Sequence, residues 1–254
     1  GLTSLTIPQN VKSLGKSAFY NCTSLTMINF NATAMDDLSS SNYVFANAGQ
    51  NGTGIKVSFG ANVTKVPAYL FAPYSSSSSY SPKIVNVDFK TGSACQSIGA
   101  YAFATYDRYD ASYYFTEITI PASVETIGAY AFSPFEDYDY YGTFLTYQPA
   151  LTTLEFASGV NIGVIGDYAF ANQTVLKNLG ISEYAVITEF GPYCFANDSE
   201  LTEIFIPKST QAISDHAFAQ CSGVSNIEFA EGDSFVLPEE VGGTIEEIYY
   251  NGSD

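Results

Sequence analysis

The chain offers few side chains that could catalyse a reaction or hold a metal ion. His216 is the only histidine, and the sequence pattern places no serine or cysteine nucleophile beside it. Asp137 and Asp139 form a carboxylate pair, but their segment lacks the glycine and the distant glutamate of a calcium-binding EF-hand loop. We therefore predict a noncatalytic protein with no catalytic residue, no cofactor and no metal site.

The four cysteines are spaced as core residues rather than as metal ligands or disulfide partners. No C-x-x-C pair occurs, so a zinc site has no support. Each cysteine falls where a recurring pattern, described below, calls for a small side chain. We predict that all four are buried, unpaired thiols that pack as small hydrophobes: Cys22, Cys95, Cys194 and Cys221.

Tyrosine has the clearest binding potential, because it is concentrated in segments that interrupt the repeat. Three such segments read SSSSSYSP, TYDRYDASYY and SPFEDYDYYGTFLTYQP. Tyrosine mixed with Ser, Asp and Gly is typical of binding loops, since its ring buries a large area with few rotatable bonds and keeps a hydroxyl group. The predicted ligand-binding residues are Tyr106, Asp107, Tyr109, Asp110, Tyr113, Tyr114, Asp137, Tyr138, Asp139, Tyr140 and Tyr141. The alternative is that these segments pack on one another as a local brace, or are flexible and Ser-rich and bind no ligand.

A sequence repeat predicts the elements that hold these segments. The clearest copies share the frame L-x-x-I-x-I-P-x-x-V-x-x-I-G-x-x-A-F-x-x-C-x-x, and one period, Leu2 to Leu25, is 23 residues long. Apolar residues at fixed offsets with a period in the twenties indicate a solenoid, in which stacked repeats share one core. We expect the repeated phenylalanine rings to form an internal spine: Phe19, Phe45, Phe71, Phe103, Phe132, Phe170, Phe195 and Phe218.

Each part of the frame predicts a local structure. The alternation of Ile118, Thr119 and Ile120 predicts a short strand with one buried face, and stacked copies form a parallel sheet. Pro121 then ends the strand, because proline cannot donate the next ladder hydrogen bond. An amide recurs two residues after the ring, and we expect it to be buried and to satisfy turn backbone groups. These amides belong to Asn21, Asn47, Asn172, Asn197 and Gln220.

The three inserted segments occupy one position in the frame, directly after the rings of Phe71, Phe103 and Phe132. Because they use the same position, we expect them to leave the stack at the same edge. A second candidate surface is the outward column of the sheet. Its residues are Thr6, Asn29, Ser58, Asp88, Thr119, Glu155, Gly180, Phe205 and Glu228.

Charge and hydropathy exclude several partners. The chain has 9 basic and 26 acidic residues, and the net charge of −17 would repel a phosphate backbone, which excludes nucleic-acid binding. The sequence contains no run of 18 or more apolar residues, so we predict no membrane span in this chain. The first residues already lie inside a repeat strand, so we expect that preceding sequence, including a signal peptide, has been removed.

The repeat also predicts the domain organisation. It runs without a linker, so we expect residues 1–254 to form a single repeat domain of about eight to nine repeats. The frame dissolves near the end of the chain. We therefore expect residues 230–254 to form an irregular C-terminal cap or a truncated repeat.

The I-P strand end and the I-G-x-x-A-F-x-x-C turn of the frame closely resemble the BspA-like leucine-rich repeats of bacterial surface proteins. The resemblance covers essentially the whole chain. It implies a curved, right-handed leucine-rich-repeat solenoid, with a parallel β-sheet on one face and short strands, turns and 3-10 or helical pieces on the other. It also implies secretion or attachment to the cell surface and a role in adhesion. No binding motif is shared across that family, so it assigns no site residue here.

We therefore predict a monomeric, noncatalytic binding domain of a cell-surface or secreted bacterial protein. Its expected partner is a host extracellular or cell-surface protein, or a protein of another cell, held by the inserted segments. A glycan is the alternative ligand, because tyrosine platforms also stack on sugars. A structural spacer or a targeting domain of a larger protein is the remaining alternative.

Overall fold

The computed structural model of the chain describes residues 1–72, 81–105, 114–134, 137–138, 144–145, 150–230 and 247–250. Each repeat contributes one strand of three to six residues to a front wall. The front strands are β1 (Ser4–Ile7), β2 (Met27–Phe30), β3 (Ile55–Phe59), β5 (Ile84–Phe89), β7 (Glu117–Ile120), β11 (Thr153–Phe156), β13 (Asn178–Gly180), β15 (Glu203–Ile206), β17 (Asn226–Phe229) and β18 (Glu247–Tyr250). All pairing between front strands is parallel, as the repeat predicts.

The front wall consists of three separate sheets. Their strand orders are β1-β2-β3-β5, β7-β11-β13 and β15-β17-β18. Within each sheet, equal positions of the frame pair with one another, so that Thr6 opposes Asn29 and Thr119 opposes Glu155. The predicted outward column is thus confirmed within the sheets. One of its members, Phe205, is half-buried and packs against the core.

A second, rear wall runs unbroken behind the front wall. Its strands are β4 (Lys65–Val66), β6 (Ser97–Ile98), β8 (Thr126–Ile127), β12 (Asn161–Ile165), β14 (Val186–Phe190) and β16 (Ala212–Ile213). They form one parallel six-stranded sheet in chain order. This wall carries the second apolar pair of the frame, as at Val124 and Ile127, both of which are buried. The rear sheet therefore holds together repeats that the front wall leaves separate.

The predicted phenylalanine spine is confirmed. Each ring of the series Phe19, Phe45, Phe71, Phe103, Phe132, Phe170, Phe195 and Phe218 contacts the next, with centroid separations from 4.9 to 5.6 Å. Most of these pairs are stacked. One hydrophobic cluster extends from Ile7 to Phe229. The core is therefore shared by successive repeats, as expected for a leucine-rich-repeat fold.

The turns that carry the spine contain no helix in the part of the chain described, where 3-10 or helical pieces were expected. The backbone is left-handed both at the residue before each Ala-Phe pair and at the amide position, as at Tyr168 (φ 53°) and Asn172 (φ 66°). Two left-handed residues four positions apart prevent a helix from propagating. The N–H groups instead donate to the next repeat, as Phe170 N does to Cys194 O at 2.9 Å.

Candidate functional site

The inserted segments leave the stack side by side. Thr105 and Pro134, which lie at the starts of the second and third inserted segments, form a parallel bridge. Ile84, just after the first inserted segment, and Tyr114, the last residue of the second, form another. These bridges confirm that neighbouring insertions share one edge of the molecule, which we call the insertion edge.

Buried polar contacts fix the roots of the insertions. The Gln173 side chain donates a hydrogen bond from Nε2 to Phe132 O at 2.8 Å, and Gln50 Nε2 donates to Ser81 O at 2.9 Å. Gln173, Ser81 and Ser133 are each at most 4% exposed. Buried polar groups with partners hold backbone in one position, since breaking such a bond leaves a buried group unsatisfied. The insertion edge therefore starts from fixed points.

The structure divides the predicted ligand-binding residues into three groups. Tyr114 is 9% exposed and belongs to the packed root. Asp137 and Tyr138 form strand β9 (Asp137–Tyr138), which pairs antiparallel with β10 (Phe144–Leu145). The third insertion thus contains a short hairpin that the sequence pattern did not predict. The other predicted residues lie outside the described residues: Tyr106, Asp107, Tyr109, Asp110, Tyr113, Asp139, Tyr140 and Tyr141.

A cleft of about 450 Å³ lies on the front wall where β5 and β7 fail to pair. Along the chain, the residues of β5 and β7 that line the cleft come after the bridge between Ile84 and Tyr114 and before the bond from Glu125 N to Gln96 O at 2.7 Å. Between these two points no ladder joins the strands among the described residues, so the edges of β5 and β7 face each other across the opening.

A proline accompanies this break. Lys90, directly after β5, donates from its N–H to Phe59 O of β3 at 3.0 Å, and Ala157, directly after β11, donates to Ile120 O of β7 at 2.9 Å. Pro121 holds the equivalent position after β7, and proline has no N–H to donate to Phe89 O. The second break of the front wall, before β15, coincides with Pro207 in the same way.

The rim of the cleft is polar and its floor is apolar. Exposed Asp88 and Glu117 stand on facing strands, whereas Val87 and Ile118 line the cleft from the core side and are at most 8% exposed. Asp88 accepts one hydrogen bond from Ser58 Oγ at 3.2 Å and forms an ion pair with Lys90 at 3.3 Å. In the described part of the chain no cationic side chain lies within 4 Å of Glu117. The cleft therefore keeps a net negative rim.

The position before each Ala-Phe pair holds a stacked ladder of aromatic rings that our sequence analysis missed. The tyrosine ladder consists of Tyr69, Tyr101, Tyr130, Tyr168 and Tyr193, with His216 stacked at its end. Neighbouring centroids are 4.7 to 4.9 Å apart, and the rings are within 12° of parallel. Burial, and then the neighbouring Tyr69, raise the pKa of Tyr101. Tyr130 stacks on Tyr101 and Tyr168 within this ladder.

The stacking offsets a backbone penalty. All members of the tyrosine ladder have positive φ, for example 57° at Tyr101 and 61° at His216. A left-handed conformation costs a residue with a Cβ atom about 1–2 kcal/mol. Each aromatic pair contributes about 0.5–1.5 kcal/mol beyond the area that it buries. The two magnitudes are similar, so the ladder makes this turn tolerable without glycine. The recurring Y-x-F pattern was the sequence signal for it.

The amide positions form a second ladder, but a less buried one than predicted. Asn47 donates from Nδ2 to Asn21 Oδ1 at 2.9 Å, and Asn197 donates to Asn172 Oδ1 at 3.0 Å. These side chains are half-buried or exposed, and these bonds join amides to each other rather than to turn backbone. The left-handed φ at each of them suits asparagine, which tolerates that conformation better than other residues with a Cβ atom.

One amide position is followed by a buried carboxyl group. Asp198 is 0% exposed, and its Oδ1 accepts a hydrogen bond from Gln173 N at 2.8 Å. Its Oδ2 has no hydrogen-bond partner among the described residues. Burial raises the pKa of Asp198 well above its usual value, although the bond from Gln173 N acts in the opposite direction. Asp198 therefore occupies the cysteine position of the frame, and its buried carboxyl group resists ionisation.

All four cysteines have free thiols, as predicted. Cys95, Cys194 and Cys221 are buried, whereas Cys22 is only half-buried because its repeat lies at the end of the stack. Burial raises the pKa of Cys95 to about 11 and also raises that of Cys194, where nearby Asp198 adds to the effect. These buried thiols are poor nucleophiles, since the thiolate is the reactive form.

Within the described residues, no three His, Cys, Asp or Glu side chains are grouped so that they could hold a metal ion. The same residues form no helix that is long and apolar enough to cross a membrane.

Comparison with known proteins identifies the repeat. The family model described as the BspA type leucine rich repeat region matches six copies over residues 1–133 and 141–236. No curated protein matches the chain. A leucine-rich cell surface protein from Faecalibacterium prausnitzii is similar at 22% identity, with 99% of this chain and 80% of that chain covered and a TM-score of 0.37. The pneumococcal vaccine antigen PcpA is 16% identical, with 99% and 69% covered and a TM-score of 0.36. A leucine-rich repeat protein from Eubacterium ventriosum is 17% identical, with 97% and 81% covered and a TM-score of 0.34.

Proposed function

The chain belongs to the BspA-type leucine-rich-repeat family, and from this membership we propose that it is a noncatalytic binding domain of a secreted or surface-attached bacterial protein. The insertion edge binds a protein of the host or of another cell. Binding at this edge makes the domain an adhesion module.

One observation carries the proposal: the bridge between Thr105 and Pro134 joins the roots of two tyrosine-rich insertions. Strands paired in this way are about 4.8 Å apart, so segments 106–113 and 135–149 start next to each other. Two adjacent insertions offer one composite surface, which a single insertion of this length could not provide.

The composition of the insertions suits a protein ligand. Tyrosine rings supply contact area at a small cost in conformational entropy, and Asp and Ser supply directed hydrogen bonds. The hairpin of β9 and β10 gives the third insertion a backbone frame of its own. Ordered aromatic side chains bind more tightly than mobile ones, because less freedom is lost on association.

Deleting residues 136–147 tests the proposal. We expect beads coated with this variant to bind cultured epithelial cells at least about tenfold less than beads coated with the intact domain, because a central patch of tyrosines commonly dominates binding. Thermal unfolding, measured by circular dichroism, should be nearly unchanged, since Phe132, Pro134 and the spine remain. The matched control is Tyr184→Ser, which removes a tyrosine that is 73% exposed but lies outside the insertions.

The same assay separates the alternatives. Undiminished cell binding by the deletion variant would contradict the proposal. Loss of binding after enzymatic deglycosylation of the cells would favour a glycan ligand instead. Failure of the intact domain to bind any cell or extracellular-matrix protein would favour a structural spacer.

A further inference from the structure

We propose that the cleft between β5 and β7 is a second binding surface, which takes an extended basic peptide segment of a partner protein. The proposal does not depend on the insertion edge. That edge precedes the N-terminal end of β7, whereas the cleft lies along the outer face of β5 and β7 and beyond their C-terminal ends.

Unpaired strand edges select an extended peptide. Elsewhere in each front sheet, neighbouring strands use their backbone N–H and C=O groups on each other. At the cleft, no such ladder joins residues 86–89 to residues 117–120, and Pro121 has no N–H to donate to Phe89 O. An exposed strand edge is a template for an added strand, in which main-chain hydrogen bonds give the affinity.

The cross-section of the cleft predicts how the side chains of the ligand alternate. Side chains of an extended peptide point in opposite directions at successive residues. One set would point inward to the apolar floor at Val87 and Ile118. The other set would point outward to the rim, where Asp88 and Glu117 are exposed. The fitting sequence therefore alternates an aliphatic residue with a lysine or an arginine.

Charge favours a basic ligand over other occupants. Among the described residues that line the cleft, the carboxylates Asp88, Glu117 and Glu155 exceed the one cationic side chain, Lys90, by two negative charges, and the whole chain carries −17. These carboxylates are not grouped closely enough to hold a metal ion. Cationic groups spaced along a chain can reach separate carboxylates, and opposite charge also accelerates association.

The test uses the synthetic peptide Thr-Lys-Val-Lys-Val-Lys-Thr with a fluorescent label and measures fluorescence anisotropy at low salt. Asp88→Asn combined with Glu117→Gln should weaken binding about tenfold, since two partly screened charge pairs are removed. The matched control combines Glu228→Gln with Glu203→Gln. These residues occupy the same two positions of the frame in other repeats and cause the same change in net charge. The control should retain the affinity of the unmodified domain.

Two further probes separate strand addition from simple charge attraction. The same peptide with N-methylated valines lacks the main-chain N–H donors of both valines and should bind several-fold less tightly. A glucosamine hexamer carries cationic groups but no peptide backbone, and it should compete poorly. Equal weakening by both double variants, no weakening by either, or competition by the hexamer as strong as that of the peptide would overturn the proposal. The deletion of residues 136–147 should leave peptide binding intact, so failure of the insertion edge as a binding surface is detected separately.

Discussion

At the level of single residues, a position of the frame can hold a side chain whose burial costs folding free energy, because packing between neighbouring repeats stabilises the fold as a whole. Asp198 is an example, since it occupies a position where Cys22 and Cys221 stand in other repeats. Its Oδ1 accepts a bond from Gln173 N, but its Oδ2 lies buried without a partner among the described residues. A buried polar atom left unsatisfied costs about 1–3 kcal/mol.

The raised pKa of Asp198 predicts a pH-dependent stability. The folded protein holds the proton more tightly than the unfolded chain, so the contribution of Asp198 is fully present below its ordinary pKa of 3.8. That contribution is lost as pH rises through the raised value. Asp198→Asn, which is neutral at every pH, should therefore gain stability relative to the unmodified protein between pH 5 and pH 8 in urea denaturation. Asp215→Asn is the surface control, and an equal pH response in both variants would contradict this account.

At the level of elements, the tyrosine ladder shows how one repeat stabilises a backbone conformation in the next. Tyr130 stacks on Tyr101 at 4.9 Å and on Tyr168 at 4.8 Å while its φ is 56°. The ring contributes stacking, and the Cβ atom contributes strain.

Substitutions at Tyr130 separate these two contributions. Tyr130→Ala loses both stacking contacts and keeps the strain, whereas Tyr130→Gly loses the contacts but relieves the strain. We expect the alanine variant to be less stable than the glycine variant by about 1 kcal/mol in urea denaturation, the reverse of the usual order inside regular structure. Equal or greater stability of the alanine variant would show that the left-handed turn is not strained.

The break in the front wall is also decided at the level of elements. Ala157 occupies the position of Pro121 in the next repeat, and its N–H completes the ladder to Ile120 O at 2.9 Å. We expect Pro121→Ala to supply the missing donor to Phe89 O, pair β5 with β7 and narrow the cleft. Hydrogen exchange should show protection of the new amide, and the lysine-valine peptide should bind less well. An unprotected amide at position 121 would assign the break to the neighbouring insertion instead.

At the level of the whole molecule, the rear wall and the phenylalanine spine continue past the two breaks of the front wall, so the strand pairing varies only in the front wall. The rear sheet crosses both breaks of the front wall without interruption. A repeat stack of this kind depends on contacts between neighbours, so a local opening does not divide the core. Both proposed binding surfaces lie beside β7, where the front wall departs most from the frame.

The C-terminal segment shows the same continuity. Residues 230–254 were expected to form an irregular cap or a truncated repeat. β18 pairs in parallel with β17, and Ile248 opposes Ile227, so the front wall gains a tenth strand there. β18 comprises residues Glu247–Tyr250, the part of this segment after residue 230 that the structure describes.

The sequence by itself determined which residues face inward. Periodic Ile and Phe positions have a single low-energy arrangement, since burying them requires that every repeat present the same face to its neighbour. This is why the spine at Phe132, the strand at Ile118 and the shared edge of the insertions could be predicted without coordinates.

The tertiary structure alone decided the features that depend on a neighbouring repeat. The stacking of Tyr130, the unsatisfied carboxyl oxygen of Asp198 and the cleft beside Pro121 each arise from what lies one period away. Sequence patterns specify the local conformation of a proline or a tyrosine. They do not specify which neighbouring strands pair and which, like β5 and β7, do not, because pairing is settled only when the coils stack.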